Sequence, residues 1–388
     1  MLQFHLSLLY LLYYMGLGAY APYLSLYLHD QGVSGSQTGL ILALGSLAGI
    51  IAQPLFGLLN DRSKDYRTML RWISLLAAIV VLSLMLDQGL FALIVCFVLF
   101  SFISSPTSPL IDAIAVQYGS RFRFSFGEVR VWGAIGFSVI TLIAGYLFHD
   151  IGYKYIFAAY ALFAILVFLV MFKLPAIPKI KAAKLQVEKG IFLQLVTNWR
   201  FVLFIVIGLL VSGNTTMNFN YLSIFLQRLD YPVELVGWSF TVAALVEIPL
   251  FWLSYKVIRR FGLFPLLIGS VFMYAFKYVA MSFAPPTYVI ILLQAVDGVA
   301  LVFYFSTAVE IVNQMAPANG KATAQTMFAA AGGIAGIAAN MVAGWVVDHQ
   351  GPQFLFGMMG AIGITAAMLF LLFPAKSGNR QQVQSAEA

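Results

Sequence analysis

Asp112 and Arg130 are opposite charges set 18 residues apart in a chain where charge is scarce. Both have apolar flanks. Pro109-Leu-Ile-Asp112-Ala-Ile-Ala precedes a short basic turn, and Phe126-Gly-Glu-Val-Arg130-Val-Trp-Gly133 follows it. Arginine presents a planar fork of donors and aspartate supplies acceptors, a combination suited to hydroxyl-rich solutes. The same two residues equally suit a structural bridge between neighbouring helices. A second set lies in the other half of the chain: Glu247, Lys277 and Asp297. A carboxylate in an apolar or switchable environment can be neutral in one state and charged in another. The chemistry on offer is reversible protonation, with Asp297–Lys277 as a coupling pair and Glu247 as a second protonatable or substrate-binding acid. The alternative is a set of fixed ion pairs that hold helices in register. Glu128 and Glu310 lie near helix ends, within reach of an interface.

The elements that hold these charges are apolar. Of 388 residues, 61% are hydrophobic and 10% charged, against about 25% charged in soluble proteins. A spanning helix needs about 20 mostly apolar residues. Twelve runs qualify: 4–28, 36–60, 68–87, 90–118, 127–148, 152–173, 200–227, 234–258, 263–283, 287–314, 322–347 and 353–374. The expected fold is an all-α integral membrane protein. The first run is too long for a signal-peptide core and is rich in tyrosine, so it reads as a retained helix. With both termini in the cytoplasm, 19 of the 22 Lys and Arg residues face inward. Lys154 and Arg228 fall outside, and Lys277 lies within the membrane. The net charge of +7 is thus a topology signal rather than a nucleic-acid footprint. A Pro- and Lys-containing break divides the chain into residues 1–173, a linker at 174–199, residues 200–375 and a tail at 376–388. Lys179–Lys189 is either an amphipathic segment on the inner leaflet or a plain linker.

Several chemistries are excluded. The lone Cys96 permits neither an internal disulfide nor a cysteine metal cluster. The four histidines are scattered near helix ends and suggest no metal site. No strand precedes the Gly-rich stretch Gly332-Gly333-Ile-Ala-Gly336, so it is no phosphate loop, and ATP-driven transport and enzymatic catalysis are not expected. The expected cofactor is none; the expected partners are a small solute, protons and lipid, and the expected state is a monomer.

Gly57-Leu-Leu-Asn-Asp61-Arg62-Ser-Lys-Asp-Tyr-Arg67 resembles the loop signature of the major facilitators. In it Gly57 would allow close helix approach, Asp61 would meet a helix N-terminus, and Arg62 and Arg67 would pair with acids or lipid phosphates. Asp65 stands where that family has glycine. The helix-5 motif from Phe126 to Phe137 is similar to that of the oligosaccharide–proton symporters, including the lactose permease. It is closer still to the phenylpropionate-permease group. Glu247-Ile-Pro249, Leu293-Gln-Ala-Val-Asp297-Gly298 and Ala322-Thr-Ala-Gln325 extend the resemblance. The resemblance implies two six-helix bundles rocking around a central site. It implies that Asp112 and Arg130 hold the substrate and that Phe137 packs against it; Glu247, Gln294, Asn218 and Tyr20 are further expected binding residues, Tyr20 because it lies near Pro22 in the first helix. Lys277 falls at the group's helix-9 arginine, Asp297 at its helix-10 histidine and Ala300 at its coupling glutamate, so the proton site is not transferable. Gly57, Asp61, Arg62 and Arg67 are the conformational gate that the loop signature implies, and Glu310 is expected to join it. The expected function is proton-coupled uptake of a sugar or glycoside across a bacterial inner membrane. An aromatic acid or nucleoside, and then drug or lipid export, are the alternatives; helix 5 lacks the Gly-Pro pair of drug–proton antiporters.

Overall fold

A computed structural model describes residues 2–62, 65–86, 89–175, 190–317 and 319–373. Within them the secondary structure is helical throughout. The helices are α1 Leu2–Tyr20, α2 Leu24–Asp30, α3 Gly35–Arg62, α4 Tyr66–Leu82, α5 Leu90–Ser104, α6 Thr107–Phe122, α7 Phe126–Ile151 and α8 Tyr155–Val170. They continue as α9 Ile191–Thr197, α10 Trp199–Arg228, α11 Glu234–Phe261, α12 Leu263–Ser282, α13 Thr287–Met315, α14 Lys321–His349 and α15 Pro352–Leu371. The Lys179–Lys189 stretch lies outside the described residues.

Ten helical segments among the described residues are long and apolar enough to cross a membrane. The two other expected spans are less regular. Residues 4–28 fall on α1 and α2, which are separated by a 3-10 turn at Ala21–Tyr23 around Pro22. Residues 152–173 fall on α8, whose 16 residues sit just below the usual spanning length. The expected span 90–118 is also interrupted. It divides into α5 and α6 at Ser105-Pro106, because proline lacks the N–H and crowds the preceding turn. Pro54 and Pro249, by contrast, stay inside continuous helices.

Polar residues set the helix starts. Ser125 Oγ accepts from the Gly127 N–H and opens α7, the helix that carries Arg130. Asn198 Oδ1 does the same for Arg200 at the start of α10. The helices before residue 175 pack mainly on one another, with α1 against α7 and α8; those after residue 190 do likewise, with α12 against α13 and α15. The two halves meet along α3–α14, α7–α11 and α10–α2. Large exposed apolar side chains, such as Trp252 at 84% and Phe91 at 79%, need an apolar solvent, which the acyl chains of a bilayer supply.

Candidate functional site

The halves are joined at one end, the end away from the basic connections. There α3 begins, with Ser34 and Gln37 forming a reciprocal cap: the Gln37 N–H donates to Ser34 Oγ and the Ser34 N–H to Gln37 Oε1. Two further orphan donors of this turn are met from the other half. Asp348, on α14, accepts from the Gly35 and Ser36 N–H groups and from the Ser36 hydroxyl, each at 2.7 Å. A carboxylate at a helix N-terminus is favoured by the helix dipole. Arg228 lies 3.9 Å from Asp348 and donates to the Val347 carbonyl. One turn inward, a Cβ on Gly39 would overlap the Asn340 carbonyl, and one on Gly344 would overlap that of Gly35. Backbone therefore meets backbone here. The α7–α11 contact is similar: Thr241 Oγ1 donates to the Ser138 carbonyl, and Trp238 Nε1 to the Tyr146 hydroxyl.

On the basic side of this seal lies a cavity of about 420 Å³. It is bounded by α1, α3, α5, α8, α10 and α14. Tyr20, Gln53, Ser101, Thr216, Phe219 and Asn220 give its character, and its lining holds no Asp, Glu, Lys, Arg or His. Tyr20 packs edge-on against Phe100 and Tyr160.

The buried charges sit beside the cavity. Lys277 is fully buried and its Nζ donates to Asp297 Oδ1 at 2.7 Å and Asn218 Oδ1 at 3.0 Å. An unpaired ammonium at that depth would be very costly, so the pair is the expected solution. Glu247 lies near enough to Asp297 for their charges to interact. Gln294, one turn before Asp297 on α13, is buried with its Nε2 lacking a partner. α10 links this cluster to the cavity: Asn218 holds Lys277, while Thr216, Phe219 and Asn220 of the same helix line the open space.

Asp112 and Arg130 are near one another without touching. Tyr10 contacts both: its hydroxyl donates to Asp112 Oδ1 at 2.6 Å, and its ring faces Arg130. The Arg130 guanidinium lies 4.3 Å from the Tyr14 ring centre and 5.8 Å from that of Tyr10. Phe137 does not stack near Arg130. It meets Phe240 edge-on at 6.2 Å, and Phe240 meets Phe219 at 5.3 Å, so an aromatic chain crosses from α7 through α11 to α10. Of the expected binding residues, Tyr20 alone lines the cavity; Asn218 and Gln294 belong to the Lys277 cluster.

The expected gate is arranged differently from the sequence reading. Gly57 brings no helix close: among the described residues a Cβ there would meet nothing within 4 Å. Arg67 pairs with Asp65 and also donates to the Leu174 carbonyl, both within its own half. Glu310 accepts from Gln314 along its own helix. The side chains of Asp61 and Arg62 lie outside the described residues. Sequence reasoning missed Asp348, Tyr10, Phe219 and Phe240. The available signal for Asp348 was an acid at the end of an apolar span, at the end of the molecule poor in bases.

A model of the MFS_1 like family matches residues 3–358. The chain belongs to that family. This makes it a major-facilitator transporter and an integral multi-pass membrane protein, and it bears out the likeness to the lactose-permease group. The maltose permease of Geobacillus stearothermophilus is 27% identical over 375 residues, covering 95% of this chain and 93% of the relative. A probable 3-phenylpropionic acid transporter of Escherichia coli (strain K12) is 26% identical over 258 residues, 66% of this chain and 67% of the relative. Among solved structures, the nucleoside transporter NupG superposes with a TM-score of 0.87 at 19% identity, covering 97% of this chain and 100% of that one. At that identity the likeness speaks for the fold of this MFS_1-like chain.

Proposed function

We propose that this protein takes up a small neutral sugar or glycoside, driven by protons, across a bacterial inner membrane. The observation that carries the reading is the cavity: about 420 Å³, with hydroxyls, amides and aromatic rings in its lining and no charged side chain. Alternating access then needs the seal at Asp348 to part while the opposite end closes. The chain would cross the membrane twelve times as two six-helix bundles, residues 1–173 and 200–375, joined by the 174–199 linker. The basic loops and both termini would be cytoplasmic, and the seal would face outward. Asp112 and Arg130 would engage solute hydroxyls at the inner end of the path.

Coupling would run through Lys277 and Asp297. The pair is stable while closed. When a helix shift separates them, a carboxylate left in a dry interior takes up a proton. Asn218 gives α10 a grip on Lys277, so solute pressing on Thr216 or Asn220 acts on the same helix that holds the pair. The maltose and lactose permeases among its relatives support a sugar, and the aromatic walls support a nucleoside as the second reading.

The test is uptake of maltose, uridine and 3-phenylpropionate by proteoliposomes, with and without an inward proton gradient. Uptake of a neutral solute that stops when a protonophore is added, and that becomes insensitive to the gradient in Asp297→Asn, is the expected result. Uptake of 3-phenylpropionate without either neutral solute would overturn the neutral reading. Gradient-dependent uptake persisting in both Asp297→Asn and Glu247→Gln would remove the proton assignment.

A further inference from the structure

Asp112 and Arg130 have every reason to form a direct ion pair, yet they make none. Both charges contact the same packed aromatic cluster. Tyr10 is fully buried, and its hydroxyl is committed to Asp112 Oδ1 at 2.6 Å. Its ring lies parallel to that of Tyr14, 6.3 Å away with 6° between the planes. Phe126, at the start of α7, closes on the edge of Tyr10 at 84°. The Tyr14 hydroxyl lies 3.4 Å from Ser108 Oγ, so this ring too is tied to α6. Gly133 clears the space: a Cβ there would stand 2.7 Å from the Tyr14 ring and 3.0 Å from an Arg130 nitrogen.

This arrangement spends the right surfaces. A guanidinium stacked on a ring uses its face and leaves its N–H edges available. A carboxylate that accepts one phenol keeps its second oxygen. A bidentate ion pair would instead occupy one guanidinium edge and both carboxylate oxygens. The half-buried Arg130 therefore keeps donors, and Asp112 an acceptor, for something else. α1 supplies the spacer, and α6 and α7 supply the two charges.

We infer that Tyr10 is a positioning residue that holds Asp112 and Arg130 apart, keeping their free edges available to a solute. The inference rests on the reading that this pair binds the solute, but the spacer itself is testable without any solute. Tyr10→Phe keeps the ring on Arg130 and removes only the donor. Asp112 is then released and closes on Arg130.

The experiment measures the rate at which phenylglyoxal modifies Arg130 in the full-length protein, resolved by mass spectrometry of the Arg130 peptide. Asp112→Asn alone should leave the rate unchanged within about twofold, because the wild-type pair is not joined. Tyr10→Phe should slow it at least fivefold, and Tyr10→Phe with Asp112→Asn should restore it. A merely structural role for Tyr10 would not be rescued by removing Asp112. A faster rate in Asp112→Asn alone would overturn the spacer, and that variant does not depend on Tyr10→Phe folding. An unchanged rate in folded Tyr10→Phe would overturn it equally. If the rates behave as expected while Asp112→Asn and Arg130→Gln retain normal maltose and uridine uptake, the spacer stands and the solute-site reading falls.

Discussion

The two halves carry the same chemical ingredients in opposite arrangements. In the C-terminal half, Lys277 and Asp297 are in contact at 2.7 Å, with the lysine fully buried. In the N-terminal half, Asp112 and Arg130 are half-buried and held apart by Tyr10. Depth accounts for the difference. A charge removed from water needs a partner, because desolvation costs several kcal/mol per ion in real proteins. A charge that is only half-buried does not, and its hydrogen-bonding capacity stays available. In the proposed function the buried pair is what a conformational change acts on, and the split pair is what a solute completes.

The comparison is most sharply broken at Lys277. Lys277→Met leaves Asp297 buried without its cation and should cost about 3 kcal/mol or more, read as a lower unfolding temperature by intrinsic fluorescence in detergent. Replacing both partners, Lys277→Met with Asp297→Leu, should recover most of that loss while transport stays absent. A single variant as stable as wild type would erase the distinction between the halves.

Asp112→Asn should behave in the reverse sense. Its stability should change by less than about 1 kcal/mol, the range of exposed pairs, while maltose or uridine uptake falls at least tenfold. Equal stability losses in Asp112→Asn and Lys277→Met would mean that depth does not separate the two groups.

The smallest effect calibrates the scale at the basic end. Asp65 caps α4 and is paired with Arg67 at 2.5 Å. Burial works against its charge, but the hydrogen bonds and charge of Arg67, with Arg71 beyond, outweigh it and hold the carboxyl below its ordinary value. A depressed carboxyl contributes stability that is present above the unfolded value of about 3.9 and is lost as pH falls through the folded one. Asp65→Asn should therefore cost under about 1 kcal/mol at neutral pH, and the difference from wild type should shrink below about pH 4. A difference that grew on acidification would contradict the pairing.

The helices were legible because a bilayer imposes one simple demand, a long apolar run, and the sequence meets it repeatedly. Their interruptions were less so. Pro22 and Pro106 end helical segments whereas Pro54 and Pro249 do not, and which outcome occurs depends on neighbouring helices rather than on the proline. Among the charges, the Lys277–Asp297 partnership was readable, since two buried opposite charges on adjacent helices have few other solutions. Tyr10 was not: among the many tyrosines of α1, nothing local distinguishes the one that reaches Asp112. Asp348 lies 312 residues from Ser36, a pairing that only the packing of α3 on α14 creates. Gly57 reads as a close contact and faces open space among the described residues, because a glycine's role depends on how neighbouring helices pack against it.

The contact of Gly39 with the Asn340 carbonyl has a consequence for energy conversion. Water conducts protons in single file, and a file needs voids of at least about 10–15 Å³ each, lined by polar partners. Where main chain lies directly on main chain, no such void remains. The junction is thus an electrical insulator as much as a door. Under the proposed proton coupling, a transporter with an open chamber would short-circuit unless one wall stayed dry, and the backbone contact at Gly39 would be that wall.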